Sequence, residues 1–422
     1  MLSARVSRRL AGGLVLCAPL MASATNGYFS HGYGVQSEGV AGVAIALPQD
    51  GLAAAANPAG TAFLDNRFDL GLSLFAPKRD AKIVGNAFGA DASYSGNGSK
   101  VFAIPEVGYV RRLNGDWTFG FAVYGNGGMN TDYSSNPYAR FGGTGSAGVN
   151  LEQLFITPSL AYRITPDQAI GVGVNLAYQR FSAKGLNAFA SFSAAPDHLT
   201  DRGTDTSTGA GVRVGWTGRV TPEVTLGATW ASKINGKFDD YRGLFADGGS
   251  FDIPANYGVG IAVRATPALT LAADVQRIEY SGVASIANPL ANLLAGNPLG
   301  SANGPGFGWR DITVVKLGAV HQWSNDLTLR AGISHAQQPV PQTQTFFNIL
   351  APGVVQDHLT FGATWKTAPG GELSAFFAHA FGKTVNGAGS IPAGFPPAGF
   401  GGGNVNVRLQ ENIVGIAYGW KL

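Results

Sequence analysis

Residues that could make or break bonds are few in this chain, and their spacing does not suit them to it. Six histidines, His31, His198, His321, His335, His358 and His379, are scattered without the short intervals that bring metal ligands together. Each is read as a lumen, interface or loop residue, and no metal is expected. Gly143-Thr144-Gly145-Ser146-Ala147-Gly148 matches a dinucleotide-binding pattern, but no helical pattern follows it to hold a pyrophosphate at a helix N-terminus. There is no Gly-x-Ser-x-Gly nucleophile elbow. The reading is therefore of a non-enzyme with no catalytic residues and no cofactor. One enzymatic alternative stays open, a barrel lipase whose Ser, His and Asn or Asp converge from separate segments.

What the side chains are suited to is holding apolar matter. Leu186, Phe189 and Phe192 fall in one long connecting segment, and Leu290, Leu293, Leu294 and Leu299 in another. Leu290, Leu293 and Leu294 share one face of a short helix. Apolar patches in loops usually mark binding, so these seven residues are the candidate capture groove for a hydrophobic small molecule. Packing of the two loops on each other is the alternative. A ligand with a carboxylate would call for a cation, for which Lys184 and Arg202 lie in a suitable loop.

The elements that must position these loops show a period of two. Ile170, Val172, Val174, Leu176 and Tyr178 alternate with Gly171, Gly173, Asn175 and Ala177, and the chain ends on Val414, Ile416, Tyr418 and Trp420 opposite Gly415, Ala417 and Gly419. Similar alternation predicts fourteen strands, starting near residues 67, 101, 117, 153, 168, 208, 223, 253, 268, 312, 326, 357, 372 and 406. Short links alternate with long ones. Three of the short links repeat one chemistry, Arg163-Ile164-Thr165-Pro166, Arg219-Val220-Thr221-Pro222 and Arg264-Ala265-Thr266-Pro267, in which Pro pre-sets the turn. Such regularity belongs to an outer-membrane barrel with short periplasmic turns and long extracellular loops. Trp117, Trp216, Trp323, Trp365 and Trp420 cluster at the short-turn side, as an aromatic girdle would. In hydrocarbon an open sheet edge is too costly, so an all-β, closed antiparallel transmembrane barrel of about 14 strands is expected over residues 67–422.

Composition agrees with a membrane location. Of 422 residues only 13% are charged, about half the ~25% usual for soluble domains. Arg5, Arg8 and Arg9, the apolar run Leu10 to Met21 and the small-residue site Ala22-Ser23-Ala24 read as a signal peptide over residues 1–24. That segment holds the one cysteine, Cys17, and its three arginines account for the formal charge of +3, so no nucleic-acid partner is implied. Past residue 24 no apolar run reaches the ~18 to 20 residues of a spanning helix.

Residues 25–66 do not alternate and are expected to form an N-terminal hatch, or plug, in the lumen; a periplasmic tail is the alternative. The run from Asn26 to Gly60, with Gly32-Tyr33-Gly34, Ala46-Leu47-Pro48-Gln49-Asp50 and Asn57-Pro58-Ala59, resembles the hatch of the FadL/TodX family of outer-membrane transporters for hydrophobic compounds. The resemblance implies a plugged 14-stranded barrel that passes long-chain fatty acids or aromatic hydrocarbons without an energy source. It implies that Asn57, Pro58 and Ala59 anchor the hatch. It also implies an inward kink in the third barrel strand, for which Gly125, Asn126, Gly127 and Gly128 are the candidate, ordinary loop onset being the other reading.

The function expected is passive uptake of a hydrophobic compound across the bacterial outer membrane, with capture at the loops and lateral exit. A diffusion porin for small polar solutes is the other non-enzymatic alternative. Outer-membrane lipid, lipopolysaccharide and the barrel-assembly machinery are the partners such a protein would meet.

Overall fold

The structure is a computed structural model that describes residues 26–396 and 398–422, so the expected signal peptide, residues 1–24, lies outside the described residues. Among the described residues, fifteen strands form one antiparallel sheet in which the last strand pairs back onto the first, from Arg67 opposite Lys421 to Val84 opposite Asn404. Going round the wall they are β1 (Arg67–Val84), β3 (Phe102–Arg112), β4 (Trp117–Tyr133), β5 (Ala147–Thr165), β6 (Gln168–Lys184), β7 (Asp205–Arg219) and β8 (Val224–Ala231). The circuit continues through β9 (Asn256–Thr266), β10 (Leu269–Ile278), β11 (Ile312–Gln322), β12 (Leu327–Ala336), β13 (Asp357–Ala368), β14 (Gly371–Val385) and β15 (Asn404–Lys421). The remaining strand, β2 (Ala92–Ser95), is a short flap on the upper end of β1, so the closed wall has fourteen strands.

Period-two patterning maps onto inside and outside. On β6, Ile170, Val172, Val174, Leu176 and Tyr178 point outward and are exposed, while Ala169, Asn175, Ala177 and Gln179 are buried inward. Apolar side chains that would be a liability in water are at home against lipid acyl chains. Trp117, Trp323, Trp365 and Trp420 are likewise exposed, next to the short-turn end. The Thr-Pro links close as expected from their chemistry: Thr221 Oγ1 accepts from the amides of Glu223 and Val224 at 3.2 and 3.1 Å, and Thr266 Oγ1 from those of Ala268 and Leu269 at 3.3 and 3.0 Å.

β5 begins at Ala147, earlier than the alternation suggested. There Ala147, Gly148 and Val149 are all buried, because loops cover both faces and the period-two signal vanishes. The long links fold together into a cap over the barrel mouth. Residues 26–66 fill the lumen below it, with single-turn helices at Val35–Glu38 and Ala53–Ala56 and a 3-10 helix at Pro58–Phe63.

Inward-facing charged side chains hold this plug by its backbone and by its glutamines. Asp274 of β10 accepts the amides of Ala44 and Ile45 at 2.8 and 3.0 Å, and Glu106 of β3 those of Gly34 and Val35 at 3.2 and 2.9 Å. Lys316 of β11 donates to the carbonyl of His31 at 2.8 Å, and Arg330 of β12 to the side chains of Gln49 and Gln36 at 2.7 and 2.8 Å. An irregular segment cannot satisfy its own backbone, so a buried plug must borrow partners from the wall.

Candidate functional site

At the lower end of the plug, Asn57 bonds to both plug and wall. Its Nδ2 donates to the carbonyls of Ile45 (2.8 Å) and Trp216 (3.0 Å) and to Thr217 Oγ1 (3.0 Å), while its Oδ1 caps the 3-10 helix by accepting from Ala59 N at 3.1 Å. Pro58 opens that helix, where its missing N–H costs nothing. Two wall glycines make room for the motif. A Cβ on Gly215 of β7 would collide with Asn57 Oδ1, and one on Gly171 of β6 with Ala59 N.

The upper end of the plug meets the wall at Gly125 to Gly128. Gly125 and Gly127 of β4 pair with Leu154 and Gln153 of β5, leaving Asn126 as an extra residue in the ladder, a bulge. On its other edge β4 pairs with β3 only from Thr118 to Val123. Beyond Val123 it leaves β3 and turns to the plug: Gly128 N donates to the Tyr28 carbonyl at 2.9 Å, and Ser30 N to the Asn126 carbonyl at 2.9 Å. A Cβ on Gly127 would strike that Tyr28 carbonyl. The bulged amide is held from both sides, Tyr33 Oη donating to Asn126 Oδ1 at 2.9 Å and Asn126 Nδ2 to Gln153 Oε1 at 3.0 Å. Upper β3, Phe102 to Glu106, thus has β1 as its only strand neighbour among the described residues. Beside it Ile104, Pro105, Gly125 and Leu154 line a recess with about 20 Å³ of free space, room for a water molecule.

Above the plug lies the loop core. Leu186, Phe189, Phe192, Leu290, Leu293 and Leu299 are buried in it, and Leu294 is exposed. The two segments meet directly, the amide of Leu299 donating to the Phe192 carbonyl at 2.8 Å. Phe189 sits among Tyr138, Phe347 and Phe400 at ring-centroid distances of 5.0, 5.2 and 5.6 Å. Leu186, Phe189 and Leu299 border a small apolar cavity with Phe245, Phe307 and Phe347, of about 40 Å³ free space. Of the two candidate cations, Lys184 is committed to Asp132 at 2.8 Å and Arg202 is exposed.

Between loop core and plug is a second cavity that the sequence did not single out. It has about 30 Å³ of free space and is bounded by Gly27 of the plug, Met129 of β4, Trp309 and Gly353 of the loops, and Arg79 and Glu411 of the wall. Arg79 and Glu411 are 2% and 1% exposed. Alternation assigns both to the inner face of β1 and β15, but one inward charge reads like another until the plug is in place.

Among the plug's titratable groups, burial and the nearby Lys316 ammonium push His31 down to about 4, and burial next to Asp69 pushes Asp50 up to about 6. The His31 and His358 rings stack with centroids 5.8 Å apart. No group of three or more metal-ligating side chains occurs among the described residues.

Comparison with known proteins gives a consistent picture. The toluene transporter TodX of Pseudomonas putida is 20% identical, with 93% of this chain and 99% of that one aligned at a TM-score of 0.66. A FadL homologue from Pseudomonas aeruginosa is 18% identical, 94% and 99% covered, with a TM-score of 0.70. The Ralstonia pickettii toluene transporter TbuX is 20% identical, 93% and 99% covered, at 0.66. At these identities the likeness concerns the fold. No match was found among the curated proteins. A family model, outer membrane protein transport protein (OMPP1/FadL/TodX), matches residues 21–394. The chain therefore belongs to the FadL/TodX family of outer-membrane transport channels for hydrophobic compounds, which are not enzymes.

Proposed function

We propose that the protein takes up a hydrophobic compound, of the aromatic-hydrocarbon or long-chain fatty-acid type, passively and releases it sideways through its wall. The observation that carries this reading is the departure of β4 from β3 after Val123, where the strand joins the plug instead of its neighbour. A wall that gives up strand pairing inside a membrane forfeits hydrogen bonds that are expensive to lose there, and the plug's N-terminal residues replace them. The resulting weak line faces lipid beside the lumen. Apolar matter gains ~0.8 kcal/mol per CH2 on leaving water, so the obstacle to uptake is the polar lipopolysaccharide leaflet and not the hydrocarbon beyond it.

In this reading the core around Leu186, Phe189, Phe192, Leu290, Leu293 and Leu299 receives the ligand, with Leu294 at its rim, and Asn57, Pro58 and Ala59 keep the plug seated while the ligand passes to the gap at Gly125 to Gly128. The outward face meets outer-membrane lipid and lipopolysaccharide, and the chain reaches the membrane through the barrel-assembly machinery. A diffusion porin is disfavoured by a lumen filled by a plug with buried polar ties to the wall.

The test is deletion of Asn126, which removes the extra residue and lets β4 run on in register. Cells expressing the deletion variant should insert a folded barrel yet take up radiolabelled toluene or oleate at least tenfold more slowly than wild type. Equal uptake would reject lateral release.

A further inference from the structure

The cavity between loop core and plug is lined mainly by apolar groups, with Arg79, Asn130 and Glu411 as its polar and charged side chains. Glu411 is fully buried, and neither carboxylate oxygen has a hydrogen-bond partner among the described residues. Its cross-strand neighbours are Pro77 on β1 and Ala380 on β14, whose side chains carry no donor. The cation two residues along β1, Arg79, has its terminal nitrogens engaged and only Nε without a partner: Nη1 donates to the side chain and carbonyl of Asn130 at 2.7 and 3.1 Å, and Nη2 to the Ser99 carbonyl. Its guanidinium also lies over the Phe102 ring, 5.7 Å from the centroid. Buried carboxylates without donors are rare, and each needs an explanation. Here the explanation is at hand, because Glu411 borders a cavity at the junction of the loops, the plug and the bulged strand.

We propose that Glu411 is the head-group acceptor of this cavity, so that the ligand is a hydrophobic molecule carrying a hydroxyl or amino donor, in preference to its carboxylate or plain hydrocarbon analogue. This rests on the transporter reading above and narrows its substrate class. A carboxylate ligand would bring a second carboxyl group against Glu411, and Arg79, with both terminal nitrogens taken, has only Nε left to answer it. A plain hydrocarbon would leave Glu411 unpaired. A phenol, alcohol or amine supplies the missing donor while its apolar body lies against Trp309, Met129 and Gly353. Met129 is suited to adjusting the small free volume, since its unbranched side chain can change rotamer as a ligand enters.

The experiment is equilibrium binding of 4-butylphenol, butylbenzene and 4-butylbenzoate to the detergent-solubilised protein and to its Glu411→Leu and Glu411→Gln variants. Comparing variants in the same micelles cancels the partitioning of each probe into detergent, and heat-shifted migration on gels establishes that each barrel is folded. Glu411→Leu should lose about 10- to 100-fold in affinity for 4-butylphenol, the cost of leaving the ligand's buried donor unpaired, and keep or improve its affinity for butylbenzene. Glu411→Gln, which retains a carbonyl acceptor and adds an amide donor, should hold 4-butylphenol within a few-fold and bind 4-butylbenzoate more tightly than wild type. Unchanged affinity for 4-butylphenol in folded Glu411→Leu overturns the head-group assignment, as does unchanged rejection of 4-butylbenzoate in Glu411→Gln. If wild type binds butylbenzene but shows no dependence on Glu411, only the head-group claim falls. Should wild type bind none of the three probes, the transporter reading falls with it.

Discussion

Asn57 shows how much one buried amide can organise. Its side chain satisfies a helix cap, a carbonyl within the plug, and two wall groups on β7, so truncating it strands several buried partners at once. Asn57→Ala is expected to destabilise the seated plug by about 2 kcal/mol, seen as faster proteolysis of residues 26–66 in an otherwise folded barrel. His31 gives a pH-dependent counterpart. Its folded value of about 4 lies below the ordinary 6.5, so between the two an unfolded plug binds a proton that the seated plug does not. Stability from this residue is complete above pH 6.5 and falls as the pH drops toward 4, by on the order of 3 kcal/mol at most. The groups facing it are Glu38 at 3.9 Å, Lys316 through the His31 carbonyl, and the stacked His358. Hydrogen exchange of plug amides, corrected for intrinsic rates, should lose protection on acidification in wild type and lose less in His31→Gln. Asn57 was legible in the sequence through the motif around it. Glu411 was not, because its significance depends on neighbours from β1, β14 and the loops.

Among the elements, the strands were readable and the plug's seating was not. Alternation, repeated Thr-Pro turns and the switch between short and long links specify fourteen strands locally, the starts of all but β5 falling within a few residues of those observed. β2 escaped because its four residues are too few to show a period, and the upper end of β5 because Ala147, Gly148 and Val149 are all buried and the alternation is lost. The plug is held by pairs as remote as Ala44 with Asp274 and Ala41 with Thr360, which no local pattern encodes. Gly127 is where the two levels meet. Replacing it by Ala would push a methyl into the Tyr28 carbonyl, so Gly127→Ala should loosen the plug's N-terminal residues while leaving the wall intact. Exchange at Tyr28 to Ser30 should rise at least tenfold, with the far-ultraviolet β signal and the heat-shifted gel mobility unchanged.

For the molecule as a whole, an oily exterior and a closed ladder surround a stoppered lumen, with an apolar cavity in the loop core above the plug. Closure was inferable from the cost of unpaired backbone in hydrocarbon, and the plug from an unpatterned leading segment; for the loosening of the wall the sequence offered the glycine run Gly125 to Gly128, but not the hydrogen bonds that tie it to the plug. The most direct measurement is transfer of a labelled hydrophobic compound across planar membranes with a lipopolysaccharide outer leaflet, with current recorded in the same chamber. The account predicts transfer well above the protein-free membrane, together with no steady open-pore current. Stable ohmic conductance of open-pore size, with hydrophobic transfer no faster than without protein, would contradict it.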